Sequence, residues 1–236
     1  AYMDNGDQQI YGNRIFTNST TGFSEITGNG CMVDTTQRLS LYGDIIKYWE
    51  ETEYAEVTNN PLIISISEQN DSLFLRADVM AVETLSDSLK PDSTYRLAKG
   101  FGNVKFYRND IQGVCDTMVY HSVDSILYMH QLPIMWNEDN QLTANIINIH
   151  FRNENIHKMV LDGNAFISSQ EDSIRFNQIK GREMVGYFLK GSLNRLDVNG
   201  NGETVYFMRE DNEITTVNRA ESSRFTIYLR NNQVAS

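Results

Sequence analysis

Seven successive segments of this chain open with a small residue followed by a polar one, and that repetition restricts the possible folds more than any other feature. The pairs are Gly12-Asn13, Gly43-Asp44, Ala77-Asp78, Cys115-Asp116, Ala144-Asn145, Gly181-Arg182 and Ala220-Glu221. Two positions earlier stands an aliphatic residue in five copies: Ile10, Leu41, Leu75, Leu142 and Ile179. Three and five positions later come Ile15 and Thr17, Ile46 and Tyr48, Met80 and Val82, Met118 and Tyr120, and Ile147 and Ile149. Apolar alternation of period two predicts strand. The earlier positions share one strand face, whereas the later ones fall on the opposite parity. Each strand must therefore change phase at its small-polar pair, through a bulge or a sharp bend that a small side chain lets the backbone enter.

A second signature closes each copy: Gly28-Asn29-Gly30, Asn59-Asn60-Pro61, Gly102-Asn103-Val104, Gln131-Leu132-Pro133, Gly163-Asn164-Ala165 and Gly200-Asn201-Gly202. Gly and Asn tolerate positive φ, and proline in the third slot means that no ladder needs that amide. One repeat is thus a bent strand, a turn, a return strand and a corner, clearest between Gln141 and Ile167. The period of roughly 30 to 40 residues belongs to stacked architectures. Residues 1–8 are polar and expected to fray, and 83–92 (ETLSDSLKPD) reads as a loop inserted into the third copy. The seventh copy holds only its bent strand, with Phe225, Ile227 and Leu229 alternating before Asn231-Asn232, which leaves an open edge.

Two strands per repeat make about thirteen antiparallel strands, too many for one flat sheet, so 1–236 is expected to be a single all-β domain of two facing sheets. The residues expected to face the space between them are Leu41, Ile46, Leu75, Met80, Met118, Tyr120, Leu142, Ile147, Ile149, Ile179, Met184, Phe188 and Phe225. From the residues alone, these either line an apolar slot or fill a core.

The formal net charge of -11 argues against a sequence-independent grip on nucleic acid phosphates or on an anionic membrane surface. No run is apolar enough to span a bilayer, and no secretory-signal pattern is read within these residues. The four histidines, His121, His130, His150 and His157, lack metal-ligand spacing. Asp197, Asn199, Asn201 and Gly202 imitate the start of a calcium loop, but its twelfth position is Met208. Neither a nucleophile elbow nor a phosphate-binding glycine loop occurs, so no enzyme activity, cofactor or metal is expected. Cys115 occupies a small slot and is expected to be an unpaired structural thiol, leaving Cys31 without it as a partner.

The repeated small residue plus Asp or Asn, then an aliphatic and an aromatic (Gly43-Asp44 to Tyr48, Cys115-Asp116 to Tyr120), then a return to Gly-Asn-x, resembles the OstA-like family. That family comprises the periplasmic lipopolysaccharide-transport protein LptA and the N-terminal domain of the outer-membrane translocon LptD. The resemblance runs from about Gln9 to Val234, with Arg182 and Ser223 departing from the pattern. It implies a twisted, V-shaped β-jellyroll in the periplasm, whose interior shields the acyl chains of lipopolysaccharide on the way to the outer membrane. It also implies association with other OstA-like domains, or with itself. The strands available for that by edge addition are those of Ile10 and Ile15 at one end and of Phe225, Ile227 and Leu229 at the other. Two other readings compete: a glycan-binding or glycan-acting β-sandwich, for which Trp49 and Trp136 are too dispersed in sequence, and a structural or adhesive β-repeat protein.

Overall fold

The structure is a computed structural model, and it describes the chain apart from residues 5, 7, 37, 68–70, 88–89, 138–139, 154, 190–191, 211–212, 231–232 and 235–236. Among the described residues there is no helix, and the strands pair antiparallel. The chain is all-β, as the period-two alternation requires, and divides into two compact units, Ala1–Asp124 and Ser125–Ser236.

The first unit holds β1 (Tyr2–Asp4), β2 (Gln8–Tyr11), β3 (Arg14–Asn18), β4 (Phe23–Asp34), β5 (Leu39–Trp49), β6 (Tyr54–Thr58), β7 (Leu62–Ile66), β8 (Ser72–Arg76), β9 (Val79–Asp87), β10 (Lys90–Arg108) and β11 (Ile111–His121). They form two limbs. Limb I runs β1-β2-β4-β5-β7-β8-β10-β11. Limb II runs β3-β4-β5-β6-β9-β10-β11. Strands β4, β5, β10 and β11 bend and belong to both, one half to each limb.

The second unit repeats the plan with β12 (Ile126–His130), β13 (Ile134–Asn137), β14 (Asn140–Thr143), β15 (Ile146–Arg152), β16 (Asn155–Gln170), β17 (Phe176–Leu189), β18 (Ser192–Glu210), β19 (Glu213–Arg230) and β20 (Gln233–Val234). Here limb I is β13-β14-β16-β17-β18-β19, and limb II is β12-β15-β16-β17-β18-β19. Where the bend is sharpest it interrupts the strand, as between β2 and β3 or β14 and β15. Counting each interrupted pair as one ribbon gives thirteen ribbons among the described residues, with the short β1 and β20 besides.

Both sequence signatures lie at the bend. The register shifts between Thr27 and Gly30, Phe101 and Val104, Asp162 and Ala165, and Asn199 and Gly202 coincide with closing signatures. In all six closing signatures the first two residues have positive φ, for example Gly28 at 73° with Asn29 at 50° and Asn59 at 58° with Asn60 at 65°. That left-handed pair is why Gly and Asn fill these positions. The polar residue of the opening signature fastens the same corner. The backbone N–H groups of Asn13, Asp44, Asp78 and Asn145 donate to the carbonyl oxygens of Gly28, Asn59, Gly102 and Gly163 at 2.8, 2.9, 2.8 and 2.8 Å.

The small residue is explained by what sits against it. A Cβ on Gly12 would lie 2.4 Å from Ile26 Cγ2, one on Gly43 2.3 Å from Val57 Cγ1, and one on Gly181 2.7 Å from Val198 Cγ1. Ile26, Val57 and Val198 are limb II residues, so each of these three glycine slots is space that a limb II side chain occupies. The limbs of each unit therefore meet face to face at the bend.

Three expectations are corrected. Residues Tyr2–Asp4 pair with Gln9–Tyr11 instead of fraying, because Tyr2, Met3 and Asp4 find the free side of β2. The segment 83–92 is largely strand: Glu83 to Asp87 complete β9 and Lys90 begins β10, so the insertion lengthens a hairpin, with 88–89 outside the described residues. Ile10 lies between Met3 and Met32 and is not on an open edge. The expected turn at Asn231-Asn232 lies outside the described residues.

Candidate functional site

All thirteen side chains expected to face the interior lie on rows in register with the buried face of their limb. In limb II of the first unit the row nearest the bend is Ile15, Ile26, Ile46, Val57, Met80, Gly100 and Met118, and Tyr120 belongs to the next row out. In limb I, Leu41 and Leu75 share a row with Met32, Ile63 and Phe106.

In limb II of the second unit, Met129, Ile147, Leu161, Met184, Val198 and Phe225 form the row at the bend. Leu127, Ile149, Met159, Gly186, Leu196 and Ile227 form the next. Leu142 and Ile179 share the limb I row with Met135 and Ile167.

Burial separates these residues into two groups. Ile46, Met80, Met118, Ile147, Ile149 and Met184 are 0–6% exposed, so they close the base of each unit as packed core. Leu41, Leu75, Tyr120, Leu142, Ile179, Phe188 and Phe225 are half-buried and stand where the interior reaches solvent. Among the described residues, no polar or charged side chain is buried.

The outermost row of limb II in the second unit holds the expected Phe188 together with side chains not among those expected to face the interior. Phe151 pairs with Ile156, and Phe188 with Leu193, each next to a register shift. With Leu229, two positions beyond Ile227, they form a half-buried, wholly apolar rim. The shifts at His150/Phe151 and Tyr187/Phe188 add one residue on β16 and on β18, so simple alternation from Met159 and Leu196 places Ile156 and Leu193 on the wrong face, whereas Phe151, Phe188 and Leu229 keep the parity of their strands. The signal available in the sequence was their composition: five aliphatics and aromatics near strand tips, where polar residues would otherwise be expected.

Strand β19 is paired along its length with β18 on one side. Among the described residues its other side is paired only at Leu229 and Arg230, with β20. Phe225 and Ile227 therefore lie on a free edge, as does Ile15 on β3, which pairs only with β4.

The cation site imitated by Asp197 is occupied by protein groups: Arg195 Nη2 donates to Asp197 Oδ2 at 2.8 Å and Thr226 Oγ1 to Oδ1 at 2.9 Å. No cluster of three or more His, Cys, Asp or Glu side chains suited to a metal occurs among the described residues. Both cysteines are free thiols, and burial pushes Cys115 up to about 12. No helix among the described residues is long and apolar enough to cross a membrane.

The fold and its rows define an antiparallel all-β protein whose apolar rows are buried at the bend and half-buried toward the strand tips. No known protein family matches the chain, and no curated protein does.

Proposed function

We propose that the chain is a non-enzymatic periplasmic carrier that shields the acyl chains of lipopolysaccharide between its limbs on the way to the outer membrane. The observation that supports this reading is the apolar rim of Phe151, Ile156, Phe188, Leu193 and Leu229, half-buried at the tips of limb II. A core does not need apolar side chains so far from its packed base, whereas a guest hydrocarbon does. Each buried CH₂ contributes about 0.8 kcal/mol, so an acyl chain of about a dozen carbons gains on the order of 10 kcal/mol before entropic costs. A net charge of -11 offers little to the phosphates, so the grip falls on the tails. The choice of lipopolysaccharide rests on the OstA-like resemblance, and the preference for hydrocarbon rests on the rim.

Association with other OstA-like domains, or with itself, would use the free edges of β3 and β19. Size measurement over a concentration series tests this, and a strict monomer that ignores OstA-like partners counts against it.

The test of cargo is mass spectrometry of lipid extracted from the purified protein, together with photocrosslinking of lipopolysaccharide from positions 188 and 193. Capture at both positions, lost in Phe188→Glu/Leu193→Glu with circular dichroism unchanged, is the expected result. Absence of any acylated lipid, with no crosslink at either position, would overturn the reading.

A further inference from the structure

The second unit carries a separate constellation on the face of limb I opposite its apolar row. Trp136 of β13 is the direct cross-strand partner of Gln141, Gln141 of Ser168, and Ser168 of Gln178, so one row crosses four strands. Phe166, two residues before Ser168, flanks the row toward the bend. Phe176, paired with Gln170, flanks it toward the strand tips. With Asn140 these residues line an open depression of about 420 Å³, within the size range of small-molecule sites.

Its chemistry is specific. Trp136 Nε1 donates to Gln141 Oε1 at 3.0 Å, which fixes that amide and leaves its NH₂ to point elsewhere. Phe176 is 41% exposed, a large ring held in water on a face that has no core to fill. None of the lining residues is charged. Among the described residues the charges nearby are paired, Lys180 with Glu203, Arg175 with Asp172, and Arg209 with Glu171.

Among the described residues an ionic ligand would find no free counter-charge, and a hydrocarbon would leave the amides without partners. A neutral sugar satisfies both halves of the surface. The C–H face of a pyranose lies against an aromatic ring, and adjacent hydroxyls pair with a carboxamide that offers a donor and an acceptor together. We propose that this depression binds a neutral hexose oligosaccharide. The proposal does not depend on the lipid reading, since the depression lies on limb I, on the face opposite its apolar row, and the rim lies on limb II.

Trp49→Phe leaves Trp136 as the single indole, because the chain has two tryptophans. Titrating that variant with malto-, cello-, manno- and chitohexaose should give a saturable fluorescence change for at least one, with Kd between about 10 μM and 1 mM. Calorimetry on the unmodified protein should agree. Phe176→Ala and Gln178→Ala should each weaken binding by about fivefold or more while circular dichroism and the thermal midpoint stay unchanged. The proposal is overturned if no neutral hexaose binds up to about 10 mM. It is equally overturned if hexagalacturonic acid binds as tightly as the best neutral sugar, or if both variants bind as the parent does.

Discussion

Asn103 donates its side-chain amide to the Asp78 carboxylate, Nδ2 to Oδ2 at 2.8 Å, joining the two sequence signatures of one repeat. Asn60 with Asp44 and Asn164 with Asn145 repeat the clasp at 3.2 Å. Asn103 does two jobs, bonding Asp78 and holding φ at 49°. Asn103→Gly removes only the first, and the expected loss is about 0.5–1.5 kcal/mol. Asn103→Ala also keeps a Cβ at a left-handed φ without the local hydrogen bonding by which asparagine tolerates it, and should lose roughly 1 kcal/mol more than Asn103→Gly. Urea midpoints of the two variants measure the difference, and equal midpoints would mean that the backbone conformation contributes nothing there.

The small slots give a paired prediction. Gly43→Ala places a methyl in the space of Val57 Cγ1 and should destabilise the fold by about 1–3 kcal/mol. Val57→Ala alone creates a void at a residue 3% exposed. Combined, the two should cost less than their sum, a coupling that a double-mutant cycle reads directly.

Leu132 is the one large aliphatic among the described residues with positive φ, at 56°, and it is 74% exposed. It takes the place that Asn holds at the other corners. Leu132→Asn should therefore raise stability by up to about 1 kcal/mol, visible as a higher thermal midpoint.

Cys115 provides a pH signature. Burial raises its thiol from the ordinary 9.0 to about 12, so the folded state keeps a proton that the unfolded chain releases first. The stability contributed is whole below pH 9 and declines as pH climbs from there toward 12. Cys115→Ala should flatten that decline. In the native protein at pH 8, a thiol reagent should modify Cys115 only on unfolding; prompt labelling of Cys115 would contradict its burial.

What the sequence made legible was local. The small-polar pairs and the Gly-Asn corners each require a particular backbone state, and that state leaves a residue-type mark at a fixed offset, so strands, bends and corners could be read before any coordinates. The burial of Ile147 and Met184 could be placed on a face but not at a depth, because depth depends on how closely Val198 and its neighbours fill the bend. The rim positions Ile156 and Leu193 were hidden by second register shifts that no closing signature marks. Trp136, Phe166 and Phe176 come from three different strands, and only the pairing of β13, β14, β16 and β17 gathers them. Linear spacing held no trace of that neighbourhood.

The clasped corners also govern how such a chain can vary. Each is closed by residues of the two ribbons that meet there, so adding or removing residues at a strand tip leaves every hinge where it was. The long arm made by β9 and β10 is one such outgrowth. Repeats of unequal length can therefore coexist in the same molecule, and new reach can be gained at the open ends without redesigning the spine.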